Sequence, residues 1–233
     1  MIPGRKSEWN GVRSEVTVDA GGISLEGTLS IPRDAQGIVL FAHGSGSSRF
    51  SARNRYVAGV LQSNGMATLL FDLLTRDEDV LDQVTRELRF NISLLARRFV
   101  AAAQDVAGRA DLKALPLGYF GASTGTAAAL IAAAERPEVA SAVVSRGGRP
   151  DLAGNALQLV RAPTLLIVGG NDEPVIELNR QALAKLGSAE KELIIVPGAT
   201  HLFEEPGTLE QVSKLAVQWF NRHFAGATRP ASA

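Results

Sequence analysis

The chain has no cysteine among its 233 residues. This excludes disulfides, thiolate nucleophiles and cysteine-based zinc sites together, and leaves the redox compartment open. It also has no excess of charge, because 24 Lys and Arg residues balance 24 Asp and Glu residues. A nucleic-acid surface or an affinity for anionic membranes is therefore not expected, and any functional charge must be local. Long apolar runs are missing too. The opening MIPGRKSEWNGV has basic residues but no apolar segment behind them, so it does not read as a secretory signal. The run AAALIAAA at 127–134 falls far short of the ~20 residues a membrane span needs. The sequence therefore predicts a soluble, cytoplasmic protein. Histidine is scarce as well, with only 3 in the chain, so any imidazole chemistry has few candidates.

What is present is a core of ordinary size, since 45% of the residues are hydrophobic. No repeat or low-complexity linker interrupts the interior. Residues 1–233 are read as one α/β domain, with loose order expected at 1–12 and 226–233. EVTVDA and ISLEGTLSI alternate apolar and polar residues, as a half-exposed antiparallel hairpin does. Short continuous apolar runs follow: GIVLFAHG, MATLLFDLL, LPLGYFGAS, ASAVVS, PTLLIVGG and KELIIVPG. Strands of that kind are buried on both faces, which predicts a mostly parallel, twisted sheet of about eight strands between helices. Helical period marks 86–107, through Leu88, Ile92, Leu95, Phe99, Ala103 and Val106, and marks 208–224 as well. Asn64-Gly65 reads as a helix stop. The intervals 73–86 and 146–161 have room for one short helix each, so no large cap domain is expected.

The chemistry centres on GYFGASTGT, residues 118–126. Gly-x-Ser-x-Gly arises by chance about 0.15 times in a chain of this composition, so context has to carry the reading. Here an apolar strand precedes it and an alanine-rich helix follows. A serine in such a strand–turn–helix bend is lifted out of the strand end, and Gly121 and Gly125 avoid collisions with the neighbouring strand and helix. The next amide, Thr124 N–H, then sits at a helix N-terminus where it favours negative charge. A glycine-rich dinucleotide turn fits less well, because the spacing differs and the motif lies mid-chain. Ser123 is thus expected to be a nucleophile, and a hydroxyl needs a base. His201, in IIVPGATHLFEE, follows the last strand and shares the serine's sheet edge. His43 precedes GSG at another strand end, and His223 lies among Phe220 and Phe224 in the last helix, where a structural role is expected. Asp172, just past the strand in TLLIVGGNDEPV, is the expected partner of His201, with Glu173 as the alternative.

GASTG, GGNDEPV and PGATHLF in that order, with FAHGSGSS after an early strand, resemble the α/β-hydrolases over about residues 15–224. The closing loop and the missing cap resemble the dienelactone hydrolase branch. Dienelactone hydrolases proper carry a cysteine nucleophile, whereas this chain has Ser123. The resemblance implies an α/β-hydrolase fold and an oxyanion hole built from Ser45 N–H and Thr124 N–H, with Gly46 as a substitute for Ser45. It also implies that His43 shapes the loop.

The expected activity is hydrolysis of small or short-chain carboxylic esters through an acyl-enzyme, with lactones as further candidates. No cofactor and no metal are implied. The expected partner is a small-molecule ester, not nucleic acid or membrane, and the chain is expected to be a monomer or small homo-oligomer. A ligand receptor or a perhydrolase on the same fold is the alternative. Six arginines fall on loops at the expected active edge: Arg49, Arg53, Arg55, Arg76, Arg146 and Arg149. They are read either as solvated ion pairs with Asp77, Glu78, Asp79, Asp82 and Asp151, or as a subsite for a substrate carboxylate formed by Arg49, Arg53 and Arg146.

Overall fold

The computed structural model describes residues 11–225 and 227. The loose order expected at 1–12 and 226–233 falls mostly outside those residues, although the first strand already begins at Val12. Strands β1 (Val12–Asp19) and β2 (Ser24–Ile31) form the expected hairpin, and β2 runs antiparallel to β4 (Met66–Phe71). The other pairs are parallel: β3 (Gly37–Ala42) with β4 and β5 (Leu117–Ala122), then β6 (Ala140–Arg146), β7 (Thr164–Gly169) and β8 (Lys191–Val196). The eight strands lie in the order β1-β2-β4-β3-β5-β6-β7-β8. This is the α/β-hydrolase fold, without a large cap.

Strand alternation splits the core into two layers. Leu40 and Tyr119 join Phe71 and Phe99 on the side of α3 (Ile92–Gly108) and α4 (Gly125–Glu135). Their neighbours Phe41 and Phe120 join Val57, Trp219 and Phe220 on the side of α1 (Ala52–Ser63) and α6 (Thr208–Phe224). Both faces are covered, which is why β3, β5 and β7 read as unbroken apolar runs. Ala127, Ala128, Ala129, Ala132 and Ala133 of α4 are all buried. Small side chains let this helix pass closely between the sheet, α3 and the helical turns at Pro150–Leu159. No helix among the described residues is long and apolar enough to cross a membrane.

The turn from β5 into α4 is tightly packed. A Cβ on Gly121 would stand 2.5 Å from Thr126 Cα, and one on Gly125 would stand 2.3 Å from the Ala42 carbonyl oxygen. Neither position admits a side chain, as the spacing of GASTG predicts.

Helix α2 (Arg76–Thr85) follows β4 and begins with a capping box, in which Thr75 and Glu78 bond each other's amides. The periodic stretch from 86 does not start a helix at once. Leu88–Phe90 is a 3-10 turn, and α3 begins only at Ile92, capped by the Asn91 side chain. The break arises because Asp82, in α2, accepts hydrogen bonds from the Leu88 and Arg89 amides and draws them back.

Arg98 of α3 is buried and grips α2. It donates to both Glu78 carboxylate oxygens at 2.6 Å and to the Leu73 carbonyl at 2.9 Å. These guanidinium bonds hold the Glu78 carboxyl down to about 2, against the opposing effect of burial. Because the folded value is depressed, the stabilisation is complete above the ordinary value of about 4.5 and is lost as pH falls toward 2. Glu78→Gln should lower stability to urea at pH 6 by on the order of 2 kcal/mol, allowing for its partial exposure. The difference from the parent chain should shrink at pH 3, and an equal loss at both pH values would contradict this account.

Candidate active site

Ser123 joins β5 to α4 with a left-handed backbone, φ 50°. For a residue with a side chain that costs about 1–2 kcal/mol and persists only where neighbours enforce it. The Ser123 amide donates to the Arg146 carbonyl at 3.2 Å, and its carbonyl accepts from the amides of Arg149 at 3.0 Å and Thr126 at 3.1 Å. The end of β6 thus holds the bend in place.

The 43–48 loop packs directly on this bend, since a Cβ on Gly44 would lie 3.0 Å from Ser123 Cβ. His43 fastens the loop: Nδ1–H donates to Gly44 O, and Nε2 accepts from the Leu73 amide, both at 3.0 Å. Both ring nitrogens are therefore occupied in the neutral form, and burial pushes the imidazole pKa below its ordinary value. This geometry suits support of the loop and leaves no nitrogen free for proton transfer.

Ser45 is placed differently from the expected open donor. Its amide donates to the Thr124 hydroxyl at 2.9 Å, while its own hydroxyl donates to Arg89 O at 3.0 Å and meets Thr124 Oγ1 at 2.7 Å. Ser45 and Thr124 are thus brought together, but through the Thr124 side chain. Thr124 is the first residue of the α4 N-terminus, where unpaired helix amides carry partial positive charge.

His201 stands beyond β8 and Asp172 beyond β7. His201 Nδ1 lies 2.6 Å from Asp172 Oδ2, the one contact between charged or titratable groups that joins these two loops. Glu173 is exposed as the first residue of α5 (Glu173–Lys185), so Asp172 is the carboxylate that meets the histidine. The His201 loop is pinned on both sides. Thr200 bonds Glu205 through its amide and hydroxyl, and Phe203 is buried in the α1–α6 layer with φ 56°. His201 Cε1 comes within 3.6 Å of where a Cβ on Gly147 would stand, just past the end of β6 and one strand from Ser123. His223 is elsewhere, against Trp219 in α6 with Glu190 at 3.4 Å.

The arginines divide sharply. Arg49 is committed to carboxylates, with Asp72, Glu26 at 2.7 Å and Glu15 at 3.7 Å around its guanidinium. That corrects the expectation that Arg49 is free to bind a substrate. Its partners also differ from the acidic run 77–82, because the β-hairpin carries Glu15 and Glu26 to the edge. Arg53 pairs with Glu204 at 3.1 Å, Arg149 pairs with Asp151 at 2.8 Å, and Arg55 and Arg76 are exposed. Arg146 is the exception. It is 8% exposed, with Nε and Nη1 sealed from solvent and without hydrogen-bond partners. Burial, and then the charge of Arg53, brings its pKa down to about 10.

Two open clefts, of about 530 and 630 Å³, flank the 43–48 loop. Asp72, Arg76 and Asp79 line the first, while Asp79, Gln83 and Arg89 line the second. On sequence Asp82 reads only as a solvated partner of the six loop arginines, and Arg89 is not singled out. In the structure Asp82 is buried and paired with Arg89, because the chain after α2 folds back over it.

Comparison with known proteins agrees with this architecture. Residues 27–232 match the model of the PETase family, described as PET hydrolase-like. A dienelactone hydrolase from Anabaena variabilis is 58% identical, with a TM-score of 0.90 over 92% of this chain and 99% of that one. Est1E from Butyrivibrio proteoclasticus shares the fold at 16% identity, with a TM-score of 0.75 over 91% of this chain and 99% of that one. A Mycobacterium tuberculosis protein named as a phosphoribosyl transferase is 57% identical over 212 residues, which are 91% of this chain. The match takes in 47% of that protein, so the chain spans about half the length of the curated relatives it resembles. Because the family model spans residues 27–232, the chain belongs to the PET hydrolase-like family, in a branch of the α/β-hydrolases that resembles the dienelactone hydrolases.

Proposed function

We propose that the chain is a serine hydrolase that cleaves carboxylic esters of small or short-chain acyl groups through an acyl-enzyme on Ser123. The observation that carries the reading is the 2.6 Å contact of His201 Nδ1 with Asp172 Oδ2 at the sheet edge where Ser123 is held in a left-handed bend. A carboxylate on Nδ1 fixes the tautomer that leaves Nε2 free to accept the serine proton. Ser123 Oγ attacks the ester carbonyl while His201 Nε2 takes its proton. The oxyanion forms against the amides of Thr124 and Ser45, the latter turning from the Thr124 hydroxyl to the substrate. His201 then protonates the departing alcohol, and water repeats the sequence on the acyl-enzyme to release the acid and restore Ser123. Each oxyanion donor contributes ~3 kcal/mol in the transition state.

The reading is of a cytoplasmic enzyme that works as a monomer or small homo-oligomer on small-molecule esters, lactones included. A second feature is favoured by Arg146. A guanidinium this deeply buried, beside a second cation and with two donors unfilled, is stabilised by an anion. A carboxylate on the substrate would supply it, with Arg53 at the rim.

Ser123→Ala should fold and lose at least ~10⁴-fold in kcat, with His201→Ala nearly as damaging, because triad members act as a unit. Asp172→Asn should lower kcat with KM little changed, while Glu173→Gln should stay near the parent value. A damaging Glu173→Gln would mean that the wrong carboxylate has been chosen.

Without a cap there is little wall against which to bury a long chain, and each CH₂ contributes ~0.8 kcal/mol only where it is buried. Acetyl to hexanoyl esters should therefore exceed dodecanoyl esters in kcat/KM. A value that keeps rising beyond about ten carbons contradicts the open site.

If Arg146 binds a substrate carboxylate, an ester bearing one should be preferred over its methyl-ester analogue by roughly 10- to 100-fold in kcat/KM. Arg146→Gln should remove most of the preference and Arg49→Gln little of it. Equal rates on both esters in the parent chain would leave Arg146 without this role.

A further inference from the structure

Asp82 is the one fully buried carboxylate among the described residues, at 1% exposure, and the proposed ester hydrolysis makes no use of it. Burying a carboxylate costs several kcal/mol unless its oxygens are filled. Here they are filled by a single neighbour segment. Oδ1 accepts from the amides of Leu88 at 2.7 Å and Arg89 at 3.0 Å, and Oδ2 accepts from Arg89 Nε at 2.6 Å. Arg89 Nη2 returns to the Asp82 carbonyl at 2.9 Å, and the Arg86 amide caps the same carbonyl at 2.8 Å. These bonds fold the chain after α2 back on itself and fix where the backbone of Arg89 lies.

That backbone reaches the active edge. Arg89 O accepts the Ser45 hydroxyl at 3.0 Å, and Arg89 Nη1 lies 2.8 Å from where a Cβ on Gly46 would stand. One residue therefore bonds Ser45 and closes the space over Gly46, two consecutive positions of the loop that is proposed to supply an oxyanion donor. From Ser45 the contacts continue to Thr124, the residue after the nucleophile, through the amide-to-hydroxyl bond at 2.9 Å and the hydroxyl pair at 2.7 Å. With its own proton given to Arg89 O, Ser45 Oγ accepts from Thr124, so the direction of every hydrogen bond in the series is set. Residues 44–48 read GSGSS and form no regular element. Such a loop cannot orient an amide unaided, and an oxyanion donor is effective only if the backbone that carries it is held in place before the charge develops. The Ser45 amide is held one hydrogen-bond exchange away, on the Thr124 hydroxyl.

We propose that Asp82 and Arg89 are positioning residues for ester hydrolysis, which hold the 44–46 loop against Thr124 so that the Ser45 amide has only to exchange the Thr124 hydroxyl for the oxyanion beside the Thr124 amide. The proposal rests on the serine hydrolase reading above. Loss of the Asp82–Arg89 pair would let the donors drift without removing them. The expected loss in kcat is therefore ~10- to 100-fold, smaller than the 10²–10³ of deleting a donor.

The test compares Asp82→Asn, Arg89→Gln and Ser123→Ala with the parent chain on p-nitrophenyl acetate, well below the melting temperature of each variant. The first two should lose ~10- to 100-fold in kcat with KM changed less than about twofold. Their affinity for an alkyl boronic acid, whose tetrahedral adduct uses the same donors, should fall in proportion to kcat. On the Arg89→Gln background, Ser45→Ala should cost little more, because both changes break one series of contacts. A role confined to stability would lower Tm and leave kcat, KM and boronate affinity of the folded variants alone, and that result overturns the proposal. So would a loss that falls on KM. If Asp82→Asn does not fold, Arg89→Gln decides, since its side chain is 18% exposed and nearer the surface. Full activity in Ser123→Ala would remove the serine reading itself. An inactive Ser123→Ala beside a fully active Arg89→Gln would remove only the positioning role.

Discussion

The left-handed backbone at Ser123 is the constraint on which the rest of the structure depends. It is unfavourable by itself, and everything around it holds it in that state. Gly121 and Gly125 are glycines because Thr126 and Ala42 already occupy the space where a Cβ would go. The end of β6 fixes the bend through the Arg146 carbonyl and the Arg149 amide. A buried face on α4 made mostly of small residues lets the helix start close to the sheet. In return, the bend lifts one hydroxyl above the sheet edge and places an amide beside it. Sequence, packing and site geometry meet in a single turn.

Charge around this edge is arranged in layers. The outer arginines are paired with carboxylates that the chain itself supplies: Arg49 with Asp72 and the hairpin, Arg53 with Glu204, Arg149 with Asp151. Of these, the Arg53–Glu204 pair is the more exposed and contributes little to stability, whereas Arg49 and Asp72 meet largely out of solvent. Two buried groups behave differently. Asp82 is fully filled by Arg89 and the amides beside it, so it fixes local geometry. Arg146 is left with two buried donors unfilled, the observation behind the proposed carboxylate subsite.

The parts legible in the sequence were those governed by local rules. Strands with apolar residues on both faces, the hairpin with alternating ones, the Asn64-Gly65 stop and the glycines around Ser123 follow from period and steric demand. The edge shared by Ser123, Asp172 and His201 follows from where strands end in a parallel sheet. What escaped was set by side chains far apart in the chain. The partners of Arg49 come from 23 residues away on either side, a pairing that no periodicity announces. The apparent helix from residue 86 breaks because a carboxylate in the preceding helix takes its first amides. Ser45 and Thr124 are 79 positions apart, and that the amide of one should find the hydroxyl of the other depends on loop geometry alone.

The central claim is that Ser123 is the nucleophile of an ester hydrolase activated by His201. The most direct measurement is peptide mapping by mass spectrometry after the protein reacts with a fluorophosphonate. The account predicts one adduct per chain, on the peptide that contains Ser123, and none when His201 is replaced by alanine. An adduct on any other residue, or labelling of Ser123 that is indifferent to His201, would contradict it.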